Sequence, residues 1–274
     1  MATEIAGVKR VIAVASGKGG VGKSTTTMNL AVALGLKGLK VGVLDADIYG
    51  PSQPRMLGVK DAKPDSDGQW IEPVVAHGIK LMSMGFLVDE ATPTVWRGPM
   101  VQSALMQMLK QVRWGTAESP LDVLVLDMPP GTGDTQLSIT QNVALSGAVI
   151  VSTPQDIALI DARKGLEMFK KVNVPLLGVV ENMSVFCCPN CGHESHIFGA
   201  HGAAVMAEEL GYDLLAEVPL ELDVRELTDS GRPMVIAAPD SKAAAVYRTL
   251  ADRVWEKISA PAPEATGPVK IVIE

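Results

Sequence analysis

A glycine-rich segment near the N-terminus carries the clearest chemical signal in the sequence. The residues that we expect to contact a bound nucleotide are consecutive: Gly17, Lys18, Gly19, Gly20, Val21, Gly22, Lys23, Ser24 and Thr25. They satisfy the phosphate-loop pattern G-x-x-x-x-G-K-[ST], directly after a β-branched stretch and directly before a helix-like one. Glycines let successive backbone N–H groups turn inward around phosphate oxygens. We therefore predict that Lys23 contacts the β- and γ-phosphates of a nucleoside triphosphate and that the Ser24 hydroxyl ligates Mg²⁺.

The same glycines permit a second interpretation. They also spell G-x-G-x-x-G, and Asp45 and Asp47 follow the next apolar segment, which is the layout of a dinucleotide-binding unit. A dinucleotide does not need the Lys23–Ser24 pair at the start of the helix, whereas a triphosphate does, so the triphosphate is favoured. The sequence contains no Asn-Lys-x-Asp motif for guanine, and ATP is therefore favoured over GTP.

Aspartates end two of the apolar segments that should flank this loop. Asp127 closes one of them, and Asp45 closes another, with Asp47 just after it. An aspartate at the C-terminal end of a strand beside a phosphate loop can hold Mg²⁺ through its waters. Any one of these residues could instead cap a turn. The three together favour a magnesium site beside the phosphate loop that uses Ser24, Asp47 and Asp127.

The three cysteines form one cluster, Cys187, Cys188 and Cys191. An odd number of cysteines in one tight group is not a disulfide framework, and it indicates metal or redox chemistry. Cys188 and Cys191 have the C-x-x-C spacing that chelates one metal centre. A 4Fe–4S cluster needs four thiolates, and a two-fold homodimer would supply them, two from each chain.

Zinc is the main alternative for this cluster. Cys188, Cys191, His193 and His196 offer two sulfurs and two nitrogens, which is a tetrahedral zinc set within a single chain. The spacing is cramped, because ligand pairs in structural zinc sites are normally separated by a longer folded segment. A redox-active dithiol and inert thiols also remain open from the residues alone.

Short apolar runs alternate with helix-like stretches along most of the chain. The runs rich in Val, Ile and Leu cover residues 11–16, 41–45, 79–84, 122–128, 148–153, 177–182 and 214–218. The helix-like stretches cover residues 23–36, 100–112, 156–172, 199–210 and 241–258. Near-continuous apolar strands that alternate with helices predict an α/β fold with a doubly wound, mostly parallel sheet flanked by helices. We expect one domain over residues 1–258, followed by a flexible Pro/Ala-rich tail over 259–274.

Composition and charge exclude several classes of protein. The chain has 274 residues and a formal net charge of −7, and it has no dense Lys/Arg block, so general nucleic-acid binding is disfavoured. The longest apolar runs fall far short of the ~20 residues that span a bilayer. The N-terminus has no presequence features. This absence fits both a cytoplasmic bacterial protein and a mitochondrial-matrix protein whose presequence has been removed. The acidic balance and the Pro/Ala-rich tail favour the cytoplasmic bacterial protein, with the mitochondrial matrix as the alternative.

Several segments together resemble the Mrp/ApbC family of iron–sulfur cluster carrier ATPases, within the MinD/ParA/nitrogenase-iron-protein class. The resemblance covers nearly the whole chain and rests on Gly-Lys-Gly-Gly-Val-Gly-Lys-Ser at 17–24, Asp-Ala-Asp-Ile-Tyr-Gly-Pro-Ser at 45–52, Asp-Met-Pro-Pro-Gly-Thr-Gly-Asp at 127–134, Thr-Pro-Gln-Asp at 153–156, and Asn-Met-Ser with Cys-Pro-Asn-Cys at 182–191. The stretches 82–88 and 184–199 are similar to the mitochondrial NUBPL branch, which assembles respiratory complex I. Many bacterial members of the family have an additional N-terminal domain, whereas here the first strand begins within ten residues of Met1.

The resemblance implies a role for several individual residues. Lys18, next to the first loop glycine, would reach across a homodimer to the partner's phosphates; without the family it is equally a solvated lysine. Asp47 would orient the attacking water, and Asp45 would lie near Mg²⁺. Asn182 would place its amide on adenine. A 4Fe–4S cluster would bridge the C-x-x-C thiols of two subunits, leaving Cys187 without an assigned role.

The resemblance also implies an activity, and it leaves rivals to be tested. The family's members are slow ATPases that hold an iron–sulfur cluster and pass it to apo-proteins, which for the mitochondrial branch would include subunits of respiratory complex I. One rival is a partitioning or positioning ATPase of the MinD/ParA type, which predicts a basic patch or a membrane-binding amphipathic helix. The other is a zinc-stabilised ATPase switch with no role in cluster transfer.

Overall fold

A mostly parallel sheet lies at the centre of the chain in this computed structural model, which describes residues 3–48, 50–87 and 98–260. Among the described residues the sheet has nine strands: β1 (Val11–Ala15), β2 (Val41–Asp45), β3 (Val74–Ala76), β4 (Ile79–Ser83), β5 (Val123–Asp127), β6 (Gly147–Ser152), β7 (Leu176–Cys187), β8 (Glu194–Ser195) and β9 (Leu214–Leu220). Their spatial order is β3-β4-β2-β5-β1-β6-β7-β8, and β9 also pairs with β7. The β3–β4 and β7–β8 pairs are antiparallel.

Helices cover both faces of this sheet. Their bounds are α1 (Lys23–Leu36), α2 (Gln53–Met56), α3 (Gly98–Lys110), α4 (Asp134–Asn142), α5 (Asp156–Lys171), α6 (Gly202–Leu210), α7 (Leu222–Asp229), α8 (Met234–Ala237) and α9 (Lys242–Ser259). Apolar residues of α1, α8 and α9 form a core on one face, and those of α3, α5 and α6 form a core on the other. Residues 261–274, most of the predicted flexible tail, lie outside the described residues.

The central strands are buried on both faces, as their unbroken apolar runs predict. Every residue of β1, β2, β5 and β6 is buried. Within β1, Ile12 and Val14 belong to one core, while Val11, Ala13 and Ala15 belong to the other. The predicted doubly wound α/β fold is therefore confirmed.

The register of the sheet brings the candidate site residues to one edge. Val14 near the end of β1 pairs with Asp127, the last residue of β5, and Asp127 also pairs with Asp45, the last residue of β2. The segments that follow these three parallel strands therefore meet at the carboxyl edge of the sheet. This edge is where open α/β sheets bind ligands.

The structure differs from the sequence expectation along β7. The predicted strand ends at residue 182, whereas β7 has 12 residues and continues to Cys187. Met183 has a left-handed backbone, with φ 57°, and the pairing of β7 with β9 shifts register between Asn182 and Phe186. A left-handed residue interrupts the alternation of side chains, which hides the second half of the strand from a pattern-based prediction.

Candidate functional site

The phosphate loop turns tightly between β1 and α1. Gly20 and Gly22 have left-handed backbones, with φ 80° and 84°, which glycine adopts without steric cost. Helix α1 begins directly after Gly22. At Gly17 a Cβ atom would lie 2.2 Å from the backbone carbon of Asp161 in α5, so only glycine fits. The loop is thus shaped by its glycines to expose backbone N–H groups at a helix N-terminus, as phosphate binding requires.

Lys23 and Asp127 form a buried ion pair directly behind this loop. Lys23 Nζ contacts Asp127 Oδ1, and the two side chains are 6% and 0% exposed. Lys23 Nζ also donates to Ser24 Oγ at 3.1 Å, and Thr27 Oγ1 donates to Asp127 Oδ1 at 3.2 Å. The predicted phosphate-binding lysine and the predicted magnesium ligands Ser24 and Asp127 are therefore neighbours in space.

Asp45 accepts several hydrogen bonds from the segment that follows β2. The backbone N–H groups of Ser52 and Gln53 donate to Asp45 Oδ2 at 2.9 and 3.1 Å. Ser83 Oγ donates to the same oxygen at 3.1 Å, and the backbone N–H of Asp47 donates to Oδ1 at 3.2 Å. Asp45 therefore fixes the loop that carries Asp47, whose own side chain is partly exposed.

The buried carboxylates of Asp45 and Asp127 are neighbours, and repulsion between two negative charges opposes the simultaneous ionisation of such a pair. Burial and the neighbouring charge of Asp127 raise the pKa of Asp45 from 3.8 to about 7, although hydrogen bonds from the loop and the charge of Lys23 partly oppose this shift. A cation in this place would be attracted to the charge that the pair can carry. The electrostatics therefore suit a bound Mg²⁺.

Gln53 is a site residue that the sequence analysis did not identify. Its Nε2 donates to Asp127 Oδ2 at 2.8 Å and to the Ser24 carbonyl at 2.9 Å. Its Oε1 is buried with no hydrogen-bond donor among the described residues, and an amide oxygen of this kind suits Mg²⁺ or a water bound to it. Gln53 directly follows the family-like segment 45–52, which is the signal that could have located it.

Asn182 lies beneath the phosphate loop. Its Nδ2 donates to the Val21 carbonyl at 2.9 Å, and a Cβ atom at Gly22 would lie 2.0 Å from the same nitrogen. This contact gives Asn182 a role in holding the loop, and its contact with adenine stays a prediction. Beside the loop, Lys18 lines a cavity of about 170 Å³ together with the following residues: Gly19, Gly20, Val21, Thr153, Gln155, Met183 and Phe198.

The cysteines lie in a hairpin that β7 forms with β8. The Cys188 N–H donates to the His193 carbonyl, and the Gly192 N–H donates to the Cys188 carbonyl, both at 2.9 Å. Cys191 is exposed, whereas Cys187 and Cys188 are half-buried. The turn therefore presents the C-x-x-C pair at the tip of the hairpin, open to a partner molecule.

The backbone of this turn favours the thiolate form of Cys188. N–H groups of Asn190 and Cys191 and then the side chain of Cys191 lower the pKa of the Cys188 thiol. N–H groups aimed at a sulfur stabilise its thiolate, which is the form that ligates iron or zinc. The turn and the neighbouring thiol of Cys191 therefore stabilise the thiolate of Cys188.

The histidines of the zinc alternative do not join this pair. His196 Nδ1 lies 3.0 Å from the Ser184 carbonyl, on β7. In the part of the chain that the structure describes, no group of three His, Cys, Asp or Glu ligand atoms within 4.8 Å of one another includes a cysteine. The thiols thus lie together without His193 and His196 completing a tetrahedral set.

One known family matches this chain over nearly its whole length. The model of a ParA-type family described as the NUBPL iron-transfer P-loop NTPase matches residues 7–255. The chain belongs to this family. The family prediction made from the motifs is therefore confirmed, and so is its proximity to NUBPL.

Relatives of two kinds share more than half of their aligned residues with this member of the NUBPL family. An iron–sulfur cluster carrier protein of Pseudomonas fragi is 55% identical over 249 residues, which cover 90% of this chain and 85% of the relative. The iron–sulfur cluster transfer protein NUBPL of Mus musculus is 56% identical over 256 residues, covering 93% and 79%.

Solved structures agree with the fold. A nucleotide-binding protein of Archaeoglobus fulgidus in complex with ADP superimposes with a TM-score of 0.72 and 40% identity, covering 82% of this chain and 88% of that one. The cell-division ATPase MinD of Pyrococcus furiosus superimposes with a TM-score of 0.66 at 24% identity, covering 90% and 98%, which supports the fold alone. Among the described residues, none of the helices has both the length and the apolar character needed to cross a membrane.

Proposed function

We propose that this protein is an ATP-binding, slowly ATP-hydrolysing carrier that binds a 4Fe–4S cluster between two copies of the chain and passes it to apo-proteins. The observation that carries the proposal is the course of β7. Asn182 on this strand bonds to the phosphate loop at Val21, and the same strand ends at Cys187, next to the C-x-x-C pair. One strand therefore connects the nucleotide site to the thiols. The names of the relatives from Pseudomonas and mouse support the same activity.

The nucleotide would be held by the loop residues 17–25, with Lys23 on its phosphates. Mg²⁺ would be held by Ser24, Asp47 and Asp127, and it would neutralise charge on the transferred phosphate oxygens. Two features support the binding of Mg²⁺ here. One is the buried Oε1 of Gln53, which has no hydrogen-bond donor among the described residues, and the other is the pair of carboxylates. Asp47, on the loop that Asp45 fixes, would orient the water.

The homodimer is supported by the surface around Lys18. Lys18 is partly exposed beside the loop and lines the same cavity as Gln155. On the helix that begins just after Gln155, Ile157 and Ile160 are 66% and 52% exposed. Exposed apolar side chains next to a functional cleft suit a contact with another protein surface. We place the second copy here, with Lys18 reaching the partner's phosphates.

The cluster is the cargo of this protein. Cys188 and Cys191 of each copy would supply its four thiolates. Release is a ligand exchange with no net electron transfer: thiols of the recipient lose their protons as they bind iron, and the freed thiolates of Cys188 and Cys191 take up protons. The exposed position of Cys191 leaves room for the incoming thiol.

The names of the relatives support a proposal about the recipients and the compartment. An Arabidopsis thaliana relative, 56% identical over 249 residues, is named an iron–sulfur protein required for NADH dehydrogenase, mitochondrial. This name supports respiratory complex I subunits among the recipients. We place the protein in the cytoplasm of a bacterium, with the mitochondrial matrix as the alternative, since both bacterial and mitochondrial relatives match.

Anaerobic reconstitution tests the proposal. Purified protein is incubated with iron and sulfide, and iron, sulfide and zinc are counted per dimer beside the visible spectrum. We expect about four irons per dimer, lost in the Cys188→Ala/Cys191→Ala variant and retained in the matched control Cys187→Ala. Tightly bound zinc at about one per chain without iron uptake would contradict the carrier and favour a zinc-stabilised ATPase switch.

A further inference from the structure

A second group of metal-type ligands brings together β7, β9 and the start of α6, and it includes none of the cysteines. Ligand atoms of Glu181, His201 and Glu217 lie within 4.8 Å of one another. Glu181 on β7 and Glu217 on β9 are register partners in a parallel pair, so their side chains leave the sheet on the same face. His201 directly precedes α6. Three different elements thus bring two carboxylates and one imidazole together.

Glu181 is the buried member of this group, and one of its oxygens lacks a partner. Its side chain is 0% exposed. Oε2 accepts the N–H of Ala203 in the first turn of α6 at 2.6 Å. Oε1 is buried with no hydrogen-bond donor among the described residues. A buried carboxylate oxygen without a donor is destabilising, and a proton or a cation would satisfy it.

His201 and Glu217 complete the group on the side that faces solvent. His201 Nδ1 lies 2.9 Å from Glu217 Oε1, and the two side chains are 62% and 39% exposed. His201 holds a left-handed backbone, with φ 56°, which is uncommon for a residue other than glycine. In this conformation the ring contacts Glu217 on β9. The group is therefore fixed in the protein interior at Glu181 and accessible to solvent at His201 and Glu217.

We propose that Glu181, His201 and Glu217 bind one divalent first-row transition-metal ion. An imidazole with two carboxylates suits Zn²⁺, Fe²⁺, Co²⁺ or Mn²⁺, whereas Mg²⁺ and Ca²⁺ prefer oxygen ligands alone. Ligand atoms around such an ion, with bonds of about 2.1 Å, lie about 3–3.5 Å apart. The three ligand atoms lie within 4.8 Å of one another, so they would move closer together on binding the ion. Three protein ligands leave a coordination position open towards solvent.

The position of this site gives the ion a structural effect. Glu181 directly precedes Asn182, which holds the phosphate loop, and it contacts the start of α6 through Ala203. A bound ion would therefore tie β7, β9 and α6 together between the phosphate loop and the thiol hairpin. The site uses none of the cysteines, so its existence does not depend on the proposed cluster binding.

Cobalt titration of a variant without the thiol pair tests the site. The full-length Cys188→Ser/Cys191→Ser protein, without nucleotide and in excess Mg²⁺ to occupy oxygen-only sites, is titrated with Co²⁺ by calorimetry and visible absorption. Glu181→Gln and His201→Gly are added separately to this background. His201→Gly removes the imidazole and suits the left-handed backbone, so it tests the site even if Glu181→Gln folds poorly. His193→Ala removes an exposed histidine of the hairpin as the matched control.

The expected result is one Co²⁺ per chain in the background variant, with binding weakened about ten-fold or more by Glu181→Gln and His201→Gly. His193→Ala should leave the binding unchanged. The absence of saturable Co²⁺ binding, or binding that both site variants retain, would overturn the proposal. Because every protein in the titration lacks the thiol pair, neither outcome depends on whether the wild type carries a cluster.

Discussion

Asp45 and Asp127 end neighbouring parallel strands as register partners, and Gln53 joins them. The backbone N–H of Gln53 donates to Asp45 Oδ2, and its side-chain amide donates to Asp127 Oδ2. One residue therefore holds both of these strand-end carboxylates. The charge state and the position of this pair are accordingly linked to the loop after β2.

The pair predicts a specific dependence of stability on pH. The pKa of Asp45 is raised from 3.8 to about 7, so the folded state keeps a proton that the unfolded state has lost. The retained proton contributes to the free energy of unfolding. This contribution is fully present below about pH 4 and is lost as the pH rises through 7. Asp45→Asn cannot ionise. In chelator without nucleotide, its unfolding free energy should rise relative to wild type by roughly 2 kcal/mol between pH 5 and 8.

Urea unfolding at several pH values measures this difference. Asp67→Asn is a suitable control, because hydrogen bonds from backbone N–H groups lower the pKa of that exposed carboxyl instead. The difference in unfolding free energy between Asp67→Asn and wild type should not grow between pH 5 and 8. Parallel stability curves for wild type and Asp45→Asn would show that Asp45 is already ionised at low pH.

Gln53→Leu should weaken the candidate magnesium site without changing the charge of any residue in it. The substitution removes the donor to Asp127 Oδ2, and an unsatisfied buried acceptor costs about 1–3 kcal/mol of folding free energy. It also removes Oε1 beside the candidate magnesium position. We therefore expect lower stability together with weaker Mg²⁺-dependent nucleotide binding, measured with a fluorescent ATP analogue. Gln69→Leu, at an exposed position, is the control; equal nucleotide affinity in both variants would remove Gln53 from the site.

Lys23→Gln should separate nucleotide function from cluster binding. Among the described residues, the side chain of Lys23 contacts Asp127 and Ser24 behind the phosphate loop and not the thiol hairpin. Loss of one partner of a buried ion pair is strongly destabilising, by about 3–5 kcal/mol. At low temperature, where the variant stays folded, we expect normal iron uptake but no ATP-stimulated transfer to an apo-ferredoxin. Transfer at the wild-type rate would argue against any coupling of the two sites.

Gly17→Ala should disrupt the phosphate loop for a steric reason. The added Cβ would lie 2.2 Å from backbone of Asp161 in α5, whereas a Cβ at Gly165 in the same helix meets nothing within 4 Å. We expect Gly17→Ala to lower the melting temperature and abolish ATP binding. Gly165→Ala should instead stabilise the helix by about 0.5–1 kcal/mol. Calorimetry of both variants measures the contrast, and tight ATP binding by Gly17→Ala would contradict it.

Patterns within short stretches of the sequence predicted much of this structure. The phosphate loop and the aspartates at the ends of β2 and β5 are each encoded within a few consecutive residues, and the predicted helices are present with ends displaced by a few residues at most. Gln53 was missed because its role depends on a distance across the sheet edge. Glu181 and Glu217 were missed because the register of β7 against β9 pairs them, and no spacing along the chain encodes that register.

The left-handed backbone of Met183 has a mechanical consequence for β7. Ladder pairing with β9 shifts register between Val179 and Val180 and again between Asn182 and Phe186. At the second shift the strand consists of two arms joined at a pivot. The first arm is fixed beneath the phosphate loop, and the second carries the thiols. A rotation about the pivot would reorient the thiols while the pairings of the first arm stay intact. Among the described residues, the thiols are thus carried on an arm whose ladder pairing with β9 is limited to Phe186.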